Sequence, residues 1–118
     1  MVTGANGFIG SSLVNFLSKE NPKQAARNEL FEETGYLAKK LELLGVLNPD
    51  VGRLTNKLWC YLAKDLKQVK DWVPEDGIKL VKYPADQVYS LVKNGQLNNA
   101  FNLSALFLAD QKDVFTKI

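Results

Sequence analysis

The stretch Asn21-Pro-Lys-Gln-Ala-Ala-Arg-Asn-Glu-Leu-Phe-Glu-Glu-Thr-Gly35-Tyr36 decides how the chain is read. It carries the punctuation of one short helix. Asn21 suits the N-cap, and Pro22 suits the first helical position, where a missing N–H is tolerated. Gly35 suits the left-handed position just past the end. The spacing predicts a helix over 22–34. Within it, Glu29, Glu32 and Glu33 stand at i, i+3 and i+4, so their carboxylates share one face. All three lie in the C-terminal half, where the helix dipole disfavours negative charge. Each like-charged pair at this spacing costs about 0.2–0.5 kcal/mol. Stability alone does not select the arrangement. A divalent cation would offset the repulsion, and magnesium accepts clustered carboxylates together with substrate phosphates.

Upstream of this helix, residues 1–10 are Gly-rich, with Gly4, Gly7 and Gly10. Ser11 to Lys19 reads as a further helix with Leu13, Phe16 and Leu17 on one side. Downstream, Leu37 to Leu47 reads as a strand in which Lys39, Lys40 and Glu42 face away from Leu41 and Leu43. Asn48-Pro-Asp-Val-Gly52 is a turn cluster. Lys57 to Ala63 reads as a strand apolar on both faces, and hence central. Lys64 to Asp76 reads as a loop, and Ile78 to Tyr83 as a third strand. Pro84 opens a helix over 85–94 that ends at Asn94-Gly95, and a last helix spans 97–111 with a core or interface stripe of Leu97, Phe101, Ala105 and Leu108. The expected architecture is α/β: a small mixed sheet with about four helices.

The 118 residues are 46% hydrophobic, which suits one domain over 1–118 with one core. Basic and acidic residues are nearly balanced, 15 against 13, so no nucleic-acid partner is expected. There is no histidine, which excludes a histidine-based triad or an imidazole zinc site. Cys60 is the single cysteine and has apolar neighbours, as expected of a buried structural thiol. Trp59 is expected in the core and Trp72 as a surface anchor. No apolar run is long enough to span a membrane and no signal-peptide pattern is present, so the expectation is a cytoplasmic protein without a membrane partner.

Two resemblances follow from these residues. Val2-Thr-Gly-Ala-Asn-Gly-Phe-Ile-Gly10-Ser-Ser-Leu-Val14 resembles the start of the extended short-chain dehydrogenases and NAD-dependent epimerases. That resemblance implies a Rossmann-like βα segment over 1–19, with Gly4, Gly7 and Gly10 letting the backbone approach a pyrophosphate. No second strand with a ribose-binding acid follows, so NAD is not the expected cofactor. Tyr89-x-x-x-Lys93 has the spacing of that family's catalytic pair, but too little chain separates it from the start for the intervening strands.

From Glu20 onward the chain resembles the Nudix hydrolases, in particular the branch that cleaves ADP-ribose and other nucleoside diphosphate sugars. The family box places a glutamate, then an arginine–glutamate pair, an aliphatic residue, two adjacent glutamates, a glycine and an apolar residue at fixed intervals. Glu20, Glu29, Leu30, Glu32, Glu33, Gly35 and Tyr36 fall on those positions in register. The resemblance implies a truncated Nudix domain over 20–118 with Mg2+ or Mn2+ as cofactor and a nucleoside diphosphate sugar as substrate. Glu32 and Glu33 would be the main metal ligands, with Glu29 a ligand or the residue that orients water, and Glu20 in support. The resemblance thus implies Glu29 and Glu33 for catalysis and Glu20, Glu29, Glu32 and Glu33 for metal, with Glu75 as a further carboxylate.

The departures are equally definite. Asn28 stands where the box has arginine, and it supplies neither a cation nor a bidentate fork. Val14 stands where the box has its first glycine. The family's opening strands are replaced by the dehydrogenase-like segment. Three readings follow: a diphosphatase of the ADP-ribose type, weakened or lost; a non-catalytic remnant or chimera; and an NAD(P)-binding fragment. Three strands leave a sheet edge uncovered, which predicts a homodimer through that edge.

Overall fold

The computed structural model describes residues 2–3, 12–18, 23–50, 56–73 and 83–114. Their order is β1 (Val2–Thr3), β2 (Ser12–Ser18), α1 (Lys23–Thr34), β3 (Tyr36–Leu47), β4 (Lys57–Gln68), a 3-10 turn (Ala85–Gln87), α2 (Val88–Lys93) and α3 (Ala100–Gln111). The four strands form one sheet in the order β1-β2-β4-β3, and every pairing is antiparallel. The expected mixed sheet is therefore corrected: adjacent strands alternate in direction throughout. Three α-helices, rather than about four, stand among the described residues.

The largest correction concerns Ser11 to Lys19. The expected helix is the strand β2, paired with β4 from Ser12↔Ala63 to Ser18↔Lys57. Leu13 and Val14 are both buried but belong to different core clusters, one on each face of the sheet. A run that is apolar on both faces suits an inner strand as well as a helix, and here cross-strand pairing wins. β1 pairs back antiparallel on β2, through Val2↔Leu13 and Thr3↔Ser12. The Rossmann-like reading expects a helix over 11–19; Ser12–Ser18 is the strand β2. Gly4, Gly7 and Gly10 themselves lie outside the described residues, as do Glu20, Asn21, Pro22, Glu75 and all of the expected strand 78–83 except Tyr83, which is not in a strand.

β4 occupies the inner position expected of it, between β2 and β3. It runs on to Gln68, where a loop was expected from Lys64. Its side chains serve both faces. Leu58, Cys60 and Leu62 join Leu13, Leu44, Val88, Ala105, Leu106 and Ala109 beneath α2 and α3. Tyr61 and Ala63 join Val14, Ala26, Leu30 and Leu41 beneath α1. Trp59 is half-buried against this second cluster, and its indole N–H donates to the Ser18 carbonyl at 3.1 Å. The sheet is thus a layer between α1 and the α2–α3 pair, an arrangement in which helices and sheet each bury one apolar side.

β3 changes phase part-way. Leu43 faces Tyr61, yet Gly45 faces Cys60, so Leu44 is the extra residue of a bulge. The slip turns Leu41 toward α1 and Leu44 toward α3. At Gly45 a β-carbon would stand 2.9 Å from a terminal methyl of Leu108 of α3, a contact that a shift of the leucine side chain would relieve. In α3 the buried stripe is Ala105, Leu106 and Ala109, which shares Ala105 with the expected set. Leu97 and Leu108 pack at its margin, and Phe101 is exposed. α3 starts at Ala100 because Asn99 caps it, accepting from the amides of Phe101 and Asn102.

Candidate functional site

α1 seats its inner face through Ala26, Leu30 and Thr34, one turn apart and all buried. Its end is fixed by several bonds. Thr34 donates its hydroxyl to the Leu30 carbonyl at 2.6 Å and accepts from the Tyr36 amide at 3.1 Å. Gly35 takes φ +74°, and its amide donates to the Phe31 carbonyl at 2.8 Å, the left-handed cap that the sequence announces. Trp72 then closes the end. Its indole N–H donates to the Glu32 carbonyl at 3.3 Å, satisfying a second terminal acceptor. The ring lies so close to Gly35 that a β-carbon there would fall 2.5 Å from it. The expected surface anchor is thus a clamp on the end of the acid-bearing helix.

Of the three glutamates on α1, Glu29 and Glu33 lie within hydrogen-bond reach of each other. Burial raises the Glu33 carboxyl above its ordinary value, and the hydrogen bond and charge of Glu29 raise it further, with a smaller contribution from Glu32. Glu32 points to solvent. Asn28 does not bridge the acids: its side-chain oxygen accepts from Gln24 at 3.1 Å. Arg27 is engaged elsewhere, donating to the Lys39 carbonyl of β3 at 3.5 Å. Among the described residues no three acidic, histidine or cysteine side chains converge as a metal site. A two-carboxylate grip nonetheless fits magnesium, which is held through one or two carboxylates, with water and phosphate oxygens completing its shell. A carboxyl whose carboxylate neighbour raises its proton affinity, as Glu29 does for Glu33, also fits a cation, because the cation would relieve the repulsion between them.

The opposite flank of α1 has different chemistry, which sequence reasoning missed. Around the helix axis, Arg27 and Glu33 fall about 60° to either side of the buried line. On the Arg27 side an open groove of about 360 Å3 is lined by Lys23 and Arg27 of α1, Lys39 and Lys40 of β3, and Lys64 of β4, with Glu42 as the acid among them. Glu42 pairs with Lys64 at 2.6 Å. The available signal was the i, i+4 spacing of Lys23 and Arg27 and the adjacent lysines of β3. Their meeting with Lys64 depends on strand register.

Elsewhere, Tyr89 of α2 is held by Asp110 of α3: its hydroxyl donates to the Asp110 carboxylate, which raises the tyrosine's pKa. Tyr89 thus serves as a tie between helices. Cys60 is fully buried, and burial pushes its thiol up to about 11, consistent with a structural role. No helix among the described residues is long and apolar enough to cross a membrane.

The class defined by these observations is a helix–sheet–helix α/β protein whose acid-bearing helix lies across an antiparallel sheet. No protein-family profile matches the chain, and no solved structure matches it. One curated protein is similar: the GDP-mannose pyrophosphatase of Pectobacterium atrosepticum, 22% identical over 116 residues. The match takes in 95% of this chain and 60% of that protein, so the chain spans about three fifths of its relative's length.

Proposed function

We propose that the acid face of α1 belongs to a magnesium-dependent hydrolase of nucleoside diphosphate sugars, a truncated Nudix domain acting on compounds of the ADP-ribose type. The coupled carboxyls of Glu29 and Glu33 carry the reading, because they stand in the register of the family box on a helix whose end is clamped. The distant relative is named for the same reaction class on a nucleoside diphosphate sugar, which supports it. Glu29 and Glu33 would hold the cation, with Glu32 and Glu20 contributing from the same box; manganese would serve in place of magnesium. The metal would screen the diphosphate charge and lower the pKa of a bound water. Glu33 in its carboxylate form would accept a proton from that water's side of the reaction, and Glu29 would keep it oriented.

A second reading is favoured by a specific observation. Asn28 bonds to Gln24, and so the acid pair lacks the cationic brace that the family box supplies. On that reading the domain is a remnant without catalysis. Incubation with magnesium and either ADP-ribose or GDP-mannose, followed by nucleoside monophosphate release, separates the two. Turnover that disappears in Glu33→Gln and rises in Asn28→Arg supports the hydrolase. No turnover in either the parent or Asn28→Arg leaves the remnant.

A further inference from the structure

The basic groove is costly to build without a ligand. Lys40 stands directly opposite Lys64 across the antiparallel pair, where like charges repel. Lys23 and Arg27 lie four residues apart on α1, a second like-charged pair. Glu42 neutralises Lys64, and among the described lining residues Lys23, Arg27, Lys39 and Lys40 remain as excess positive charge. Arg27 adds an independent sign. Its Nε–H is buried and has no hydrogen-bond partner among the described residues. A buried donor on a permanently charged guanidinium is an expensive group to leave unpaired.

We infer that the groove between α1 and β3 is a binding site for a compact oligophosphate, such as the charge-dense end of a di- or triphosphate compound. Arginine provides a planar fork matched to phosphate oxygens, and the lysines provide point charges around it. Among the described residues no aromatic side chain lines the groove, so the recognition they offer rests on charge density. The site lies on the opposite flank of α1 from Glu29 and Glu33 and does not depend on the hydrolase reading.

The test is calorimetric titration of the whole chain with inorganic triphosphate in the presence of EDTA, so that no metal bridges ligand to glutamate. Saturable one-site binding that weakens as salt rises is expected. Arg27→Gln and Lys40→Gln should each weaken it about tenfold, the loss expected for one charge-assisted contact. Glu33→Gln should leave it unchanged. Lys40→Gln should also raise the melting temperature of the ligand-free protein, by removing the repulsion with Lys64, while shrinking the upward shift that triphosphate produces. A groove lysine with only a structural role would not show that opposition. The inference is overturned if triphosphate does not bind, if sulfate at matched ionic strength binds equally well, if the Arg27→Gln/Lys40→Gln double variant binds like the parent, or if a single-stranded oligonucleotide binds more tightly than triphosphate.

Discussion

Gly35 is the residue on which the candidate site turns. Its φ of +74° is one that an L side chain adopts at a cost of about 1–2 kcal/mol. A β-carbon would also collide with Trp72, 2.5 Å away. Gly35→Ala is therefore expected to lower unfolding free energy by at least about 1–2 kcal/mol, read from chemical denaturation. A loss confined to the backbone cost would mean that Trp72 moves aside freely. Glu33 makes a pH prediction. Its folded-state pKa is raised above the ordinary 4.5. The folded protein then holds that proton more tightly than the unfolded chain does. Its contribution to stability is full below that ordinary value and lost as pH rises through the raised one. Glu33→Gln should flatten this decline, measured as melting temperature across mildly acid to neutral pH. Magnesium should partly restore stability to the parent at neutral pH and leave the variant unmoved. Cys60 gives a third outcome at this scale: a thiol reagent should modify it only on global unfolding. Rapid labelling of the native protein would contradict its burial.

Among the elements, α1 and β4 were legible and β2 was not. α1 was announced by its acid face, its length and its closing glycine, all local signals, and it spans Lys23–Thr34. β4 was announced by apolar residues on both faces, and it is an inner strand. β2 was misread because Leu13, Phe16 and Leu17 satisfy a helical stripe as readily as a two-sided strand, and the decision comes from pairing with the distant β4, from Ser12↔Ala63 to Ser18↔Lys57. The bulge at Leu44, beside Gly45, belongs to the β3–β4 pairing, and the left-handed Asp65 at φ +54° has no glycine to mark it. The acid pair was legible as a spacing; the basic groove was not, because its cations come from three elements. Leu30 tests how α1 is held. It is almost fully buried against Val14, Leu41, Tyr61 and Ala63. Leu30→Ala should cost about 2–5 kcal/mol and, by loosening the helix that carries Glu29 and Glu33, should remove the raised affinity of Glu33 for its proton. A carboxyl titration unchanged in that variant would show that the acid pair does not need the packed face.

At the scale of the whole molecule, one sheet carries a helix on one face and a helix pair on the other, and the two faces have separate apolar clusters joined through β4. Among the described strands β1 and β3 stand at the two edges, and β3 presents Leu37, Leu43 and Val46 as exposed apolar residues. Association of two copies along that edge remains our proposal, and light scattering at micromolar concentration checks it: a dimer mass supports pairing along the edge, and a monomer mass removes it. Trp72 offers a practical handle on the rest. Its indole sits on the helix end through Glu32 and against Gly35, whereas the only other tryptophan, Trp59, bonds to Ser18 across the sheet. Replacing Trp59 by phenylalanine would leave a single tryptophan, selectively excited beside the glutamates, so that any event straightening, fraying or charging that end of the helix would announce itself as a spectral shift without an attached dye.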